Sequence, residues 1–108
     1  MDVLASDIFT SELAHAPLPS AEVVAGEPST GTQAWGELGD LEVGVWEMSA
    51  GVATDVEVDE MFIVLSGAGV VECGSQRIEL KPGTVVRLHA GERTIWTITE
   101  RLRKIYVA

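Results

Sequence analysis

Positive charge is missing from most of this chain. Residues 1–76 hold fourteen Asp and Glu and no Lys or Arg, whereas residues 77–108 hold seven basic and three acidic side chains. A net charge of −10 argues against a nucleic-acid partner, because phosphate backbones are held by Lys and Arg. Cysteine is nearly absent too. The single Cys73 excludes an internal disulfide framework and a Cys-rich zinc module. With Glu72 and Gly74 as neighbours it reads as a small buried hydrophobe, since nothing beside it lowers a thiol pKa. The only histidines are His15 and His89, so no Ser-His-Asp or Cys-His constellation can be assembled. Gly67-Ala-Gly69 lacks the Lys and the following helix of a phosphate loop. No apolar run approaches the roughly 18 residues of a membrane helix, and no basic-then-apolar leader opens the chain. These absences predict a cytoplasmic protein with no membrane contact.

What remains is a chain of 108 residues, 46% hydrophobic and 22% charged, which suits one globular domain. A chain of this size buries roughly 65% of its unfolded surface, enough for a core without disulfide or metal support. Residues 1–34 hold three of the four prolines, Pro17, Pro19 and Pro28, and the loop-forming run Gly26-Glu-Pro-Ser-Thr-Gly31. They read as an arm docked on the domain. Within the arm, Ser6 is placed to cap a short helical turn through Glu12, with Ile8, Phe9 and Leu13 as its apolar side. Residues 35–108 alternate short Val/Ile/Leu/Thr/Trp-rich segments with Gly-bearing turns every eight to twelve residues, the pattern of a sandwich or barrel. Strands are predicted at 42–49, 61–65, 69–73, 76–80, 84–88, 94–98 and 103–107, with very little helix. Gly74-Ser75 is a two-residue hairpin signal with Gly first, and Lys81-Pro-Gly83 is a second turn.

Two stretches carry a family resemblance. Glu60-Met-Phe-Ile-Val-Leu-Ser-Gly67 matches the end of the first cupin motif, Glu-x6-Gly. Gly83-Thr-Val-Val-Arg-Leu-His-Ala-Gly91 matches the start of the second, with His89 where Pro usually stands. Gly44-Val-Trp-Glu-Met-Ser-Ala-Gly51, the Asp59-Glu60 pair, Thr94-Ile-Trp96 and Arg103-Lys-Ile-Tyr-Val107 resemble the small single-domain cupins related to ureidoglycine aminohydrolase. The resemblance spans about residues 35–107 and implies an all-β jelly-roll barrel of two antiparallel sheets. It also implies a divalent metal held by three His and one Glu, and three of those four positions fail. No His stands between Gly51 and Glu60, and the third His position falls on Thr94; only Glu60 survives. Zinc, iron and nickel want imidazole or thiolate donors, so no metal and no other cofactor is expected. Asp55, Glu57 and Asp59 are the remaining oxygen donors for a hard ion such as Mg²⁺. Strand alternation sets them on the face opposite Glu60, which argues against a shared site.

The same resemblance turns Glu60 into the barrel, where burial suits a carboxyl to proton transfer. Parity places Phe62 and Val64 beside Glu60, Trp96 and Ile98 beside Thr94, and Lys104 beside Tyr106. Glu60, Lys104 and Tyr106 are therefore the candidate catalytic groups. Trp46, Phe62, Arg87, Thr94 and Trp96 are the candidate binding groups, and the set suits a small, partly anionic organic molecule. Plain core packing accounts for the aromatics equally well. Three functions stay open: a metal-independent enzyme, a non-catalytic small-ligand or sensory module, and an assembly protein with a solid barrel. Ammonia-releasing hydrolysis does not carry over, because it relies on the missing ligands. Self-association as a homodimer is expected from exposed sheet edges, with Val23-Val24 able to add a strand to its own or a neighbouring barrel. Glu37, Asp40, Glu42 and Glu47 are expected to approach Arg101, Arg103 and Lys104 across the first and last barrel strands.

Overall fold

The computed structural model describes residues 1–108, and its regular structure is almost wholly β. Nine strands follow in order: β1 Ala16–Pro17, β2 Val23–Ala25, β3 Ser29–Leu38, β4 Leu41–Met48, β5 Gly51–Val56, β6 Glu60–Cys73, β7 Gln76–Leu80, β8 Val85–Leu88 and β9 Arg93–Val107. A single 3-10 turn, Ser20–Glu22, is the only helical element.

Strands β6 and β9 organise the rest. They pair antiparallel from Met61 opposite Val107 to Glu72 opposite Ile95, with irregular register between Val64 and Gly69. The far edge of β9 is divided: residues 102–107 take β4, and residues 93–98 take β5. The far edge of β6 is divided in the same way, between β8 at residues 60–63 and β7 at residues 69–73. Two half-sheets result. One runs β1-β3-β4-β9-β6-β8 and the other β2-β5-β9-β6-β7. Bent strands shared by both halves fold the sheet onto itself, as bulges do at barrel corners.

Gly67 makes the corner possible. Its φ of +94° is strained for any side chain, and an added Cβ would meet Arg101 backbone carbonyl and the Cα of Leu102. The expected breaks at 66–68 and 99–102 are therefore bends inside two long strands, not turns between four short ones. Strand β3 was read as loop because Pro28 and Gly31 flank its start; it crosses the boundary drawn at residue 34. Strand β5 lay outside the predicted set altogether.

Between the half-sheets lies a core that includes Met48, Phe62, Val64, Val71, Leu80, Ile98 and Leu102. Each large side chain fully buried there contributes on the order of 1.5–3 kcal/mol of transfer free energy. In the arm, the expected helical turn from Ser6 through Glu12 does not form a helix. Asp7, not Ser6, caps its turn by accepting from the Thr10 N–H at 3.2 Å and from the Thr10 hydroxyl, and a single Ser11-to-Asp7 backbone bond follows. Phe9 faces solvent instead of the domain. Strand β2 pairs with β5 of its own barrel. No helix is long and apolar enough to cross a membrane.

Candidate functional site

Strand β9 supplies the centre of the site. Its even-numbered residues Thr94, Trp96, Ile98, Leu102, Lys104 and Tyr106 are all buried. An ammonium placed among them demands a counter-charge, because a lone buried charge costs several kcal/mol. Glu60, the first residue of β6, provides it. Lys104 is 5% exposed, and its Nζ donates to Glu60 Oε2 at 2.6 Å. The same Nζ stands 4.3 Å from the ring centroid of Phe62, 4.6 Å from Trp46 and 4.9 Å from Trp96. Three π-faces and one carboxylate thus hold Lys104 as a cation.

Trp46 and Trp96 come from opposite half-sheets and meet at 5.8 Å, while Phe62 lies 5.6 Å from Trp96. The Trp96 indole N–H donates to Thr94 Oγ1 at 3.0 Å, which settles the one polar atom of that ring. Tyr106 donates its hydroxyl to Glu42 Oε2 at 2.8 Å. Burial first, then the bond and the charge of Glu42, push the phenol up to about 12, so it stays a donor. Gly44 makes room for that ring, since a Cβ there would stand 2.7 Å from the Tyr106 hydroxyl.

A cavity of about 450 Å³ opens beside these groups, and Trp46, Trp96, Glu60, Lys104 and Tyr106 all line it. The barrel is therefore not packed solid. Two of the expected binding residues stand elsewhere. Arg87 lies on the exposed outer face, donating to Asp59 at 3.1 Å and to the Leu88 carbonyl at 2.8 Å. Odd parity on β8 turns it away from buried Val86 and Leu88. Thr94 is buried, but it lines a separate cleft of about 160 Å³ with Cys73, His89 and Glu92. Phe62 lies beneath Lys104 as core.

The site holds two residues that the sequence reading had set on the wrong face. Asp55 and Glu57 line the same cavity as Glu60. Alternation fails because β5 ends at Val56 and β6 starts at Glu60, so the intervening residues follow a turn and not a pleat. The Glu57 amide donates to the Glu92 carbonyl and the Glu57 carbonyl accepts from the Gly91 amide, which fixes the turn. Glu57 is 8% exposed, while Val56 and Val58 on either side face solvent. Burial, then a hydrogen bond and the charge of Asp55, push the Glu57 carboxyl up to about 8; Lys104 opposes the shift and Glu60 adds to it. Asp59 alone points outward to Arg87.

Cupin resemblance implies a divalent metal in the barrel, and the residues present do not fit one. No three His, Cys, Asp or Glu side chains converge as ligands. Glu60, the one surviving family ligand, is already engaged by the Lys104 ammonium at 2.6 Å and is not free as a metal donor.

A second polar cluster ties the arm to the outside of the barrel. Glu47 is buried and accepts from Arg103 Nε at 2.8 Å, from Arg101 at 3.3 Å and from His15 Nε2 at 2.7 Å. Arg103 also donates to the Ile8 carbonyl at 3.0 Å and the Ser11 carbonyl at 2.6 Å. His15, read as lying in a loose arm, is docked, with Ser29 on its other ring nitrogen at 2.8 Å. Burial alone would raise the Glu47 carboxyl, but hydrogen bonds from His15 and Arg103 and the two guanidinium charges hold it below the usual carboxylate range. Of the four acids expected near the basic strand, Glu47 alone forms ion pairs there; Glu42 bonds Tyr106, and Glu37 and Asp40 are exposed.

No curated protein matches the chain. Among solved structures it is similar to the Clostridium difficile EutQ protein at 19% identity and a TM-score of 0.64, over 74% of this chain and 67% of that one. A protein of unknown function from Rhizobium leguminosarum aligns at 27% identity and 0.65, covering 72% and 78%. Ectoine synthase from P. lautus aligns at 18% and 0.62, covering 72% and 62%. Below a quarter identity such likeness speaks for the fold, a jelly-roll barrel. The model of the EutQ-like cupin domain matches residues 35–106, from within β3 to Tyr106 in β9, and the chain belongs to that family.

Proposed function

We propose that this cupin binds a small polar organic molecule in its barrel cavity and moves a proton on it without a metal. The observation that carries the reading is a buried carboxyl, Glu57, pushed up to about 8 inside the cavity that also holds the Lys104–Glu60 pair. A group that gives or takes a proton works best with a pKa near the working pH, and such perturbed groups cluster at functional sites. Glu60, the sequence candidate for acid or base, is tied to Lys104 at 2.6 Å, so the proton-carrying role passes to Glu57. Lys104 is the fixed cation that faces charge developing on the bound molecule. Tyr106 orients Glu42 at the cavity wall. The narrower likeness to ureidoglycine aminohydrolase-related cupins brings no reaction with it, since fold and activity separate readily.

The test is a ligand-observed NMR screen of small polar metabolites with chelator present, followed by incubation of each hit in D₂O. Turnover or proton exchange on a hit, retained binding by Glu57→Gln and lost turnover in that variant are the expected results. A hit that binds wild-type protein and is never altered replaces this reading with the second one, a non-catalytic binding module. That second reading draws on the mutual neutralisation of Lys104 and Glu60. No hit at all sinks both.

The barrel also reads as a homodimer subunit. Met61, Ile63 and Val85 are exposed, and Ile63 pairs laterally with both Val85 and Ile105, giving an apolar strip that reaches edge strand β8.

A further inference from the structure

The cavity described above has an uneven ionisable lining: Glu22, Glu42, Asp55, Glu57 and Glu60 against Lys104 alone. Two of these carboxylates are committed to side-chain donors, and Asp55 Oδ1 accepts from the Val56 amide at 2.8 Å. Glu60 accepts from Lys104, and Glu42 accepts from Tyr106. Arg87, the other cation that had pointed to an anionic ligand, lies outside. Glu57 is left in an unusual position. It is more than nine-tenths buried, it lines the cavity, no donor of the protein bonds its carboxyl, and two residues away on the same cavity lies another carboxyl, Asp55. Two acids facing each other in a cleft must share a proton or take a cation between them.

We infer that the molecule bound in this cavity is a small organic cation bearing N–H donors, an amine or amidine, seated with its charge on the Asp55–Glu57 carboxyl pair. The inference rests on the small-molecule reading of the cavity and names its ligand class. An anion would approach several carboxylates with only a neutralised Lys104 to receive it. A neutral molecule would leave the shared proton where it is. A cation relieves the repulsion and supplies the donors that the protein withholds from Glu57, through charge-assisted hydrogen bonds. Trp46 and Trp96 give its apolar portion a surface, as in other small-molecule clefts.

Binding of this kind carries a proton balance. In the free protein Glu57 holds a proton below about pH 8. The groups facing it are Asp55 from β5, Glu60 from β6 and Lys104 from β9, with Glu22 on the 3-10 turn and Glu42 on β4 around the same cavity. An alkylammonium that engages both carboxylates displaces the Glu57 proton to the buffer, so up to one proton leaves per cation bound. Affinity therefore rises with pH while Glu57 is protonated and levels off once it is ionised. An alkylamine, with a pKa of about 10 like Lys, stays charged across that range.

Titration calorimetry with the full chain tests this, using butylammonium, butanol and butyrate as probes of equal size, at pH 6, 7, 8 and 9 in two buffers of different ionisation heat. Butylammonium is expected to bind at least about tenfold more tightly than butanol, and butyrate most weakly. Its affinity should rise about tenfold from pH 6 to 7, with proton release, and flatten above pH 8. Glu57→Gln should abolish both the proton release and the pH dependence. Asp55→Asn, at an exposed position, should weaken butylammonium about three- to tenfold and leave butanol unchanged. Equal affinity for the three probes, or a preference for butyrate, overturns the cation assignment and leaves the small-molecule pocket standing. Heat from none of them overturns both.

Discussion

Lys104 Nζ lies 2.6 Å from Glu60 Oε2, and three aromatic rings surround the remainder of the ammonium. The two partners are not equivalent. Both line the cavity, but the Lys104 side chain is 6% exposed whereas that of Glu60, at the start of β6, keeps 15%. Glu60→Gln strands a buried ammonium and is expected to cost about 3–5 kcal/mol. Lys104→Met leaves a carboxylate that can rehydrate, and methionine fits the aromatic cage, so the expected loss is under about 2 kcal/mol. Urea denaturation at pH 7 measures both. Equal losses would show that the pair is not enclosed as described.

With that ammonium in the polar centre and no convergent ligand set, purified protein should carry well under one transition metal per chain. Elemental analysis after dialysis against chelator checks it. Close to one equivalent of zinc, iron, nickel or manganese would contradict the donor argument.

Glu57 links stability to pH with a definite sign. Its folded-state value, about 8, lies above the ordinary 4.5, so the folded protein binds more protons than the unfolded chain between those values. Its contribution is fully present below about pH 4.5 and is lost as pH rises through about 8. Glu57→Gln removes that loss. The variant should match wild type near pH 4.5 and exceed it by on the order of 2–4 kcal/mol at pH 9. Thermal or urea unfolding across that range reads the difference; parallel curves would mean that Glu57 is hydrated.

Much of this was legible in the sequence because β9 turns its even-numbered residues inward on both sides of its bend, at 94–98 and 102–106. Period two set Lys104 and Tyr106 on one face, and the cupin resemblance over Glu60–Gly67 turned Glu60 inward. The rest depended on where periodicity stops. A glycine at 67 signals a turn and a bulged bend equally, and only the neighbouring backbone of Arg101 distinguishes them. Glu57 was hidden because one residue of turn between strands reverses every face assignment beyond it. The arm was read as docked, but the contacts that dock it were hidden for another reason: Arg103 meets Ser11 across more than ninety residues, a separation no local pattern encodes.

Ile63 and Val85 face solvent side by side on β6 and β8, which predicts a dimer through that edge. Light scattering at high micromolar concentration should give twice the chain mass, and Ile63→Glu with Val85→Glu should return a monomer that is still folded. A wild-type monomer at that concentration would reject the interface.

Glu47 and Arg103 are cross-strand partners on β4 and β9, each 5% exposed and joined at 2.8 Å. Their pair also fastens the arm, since Arg103 donates to two arm carbonyls and Glu47 accepts from His15. Glu47→Gln leaves a buried guanidinium without its countercharge, and Arg103→Gln leaves a buried carboxylate with only Arg101 and His15; each single change should cost about 3–5 kcal/mol. The double variant should cost clearly less than the sum, because the second change removes a group that the first had stranded. The arm adds a readout that a bare ion pair lacks: either variant should speed proteolytic cleavage within residues 8–15. Because Glu47 is held below its ordinary value, this contribution is complete above about pH 4.5 and disappears as the pH falls through the folded value. Chemical denaturation of the four proteins at pH 7 and at pH 3 therefore measures a coupling energy that is large at the first pH and diminished at the second. Additive losses at pH 7 would show that the two strands are held by packing alone.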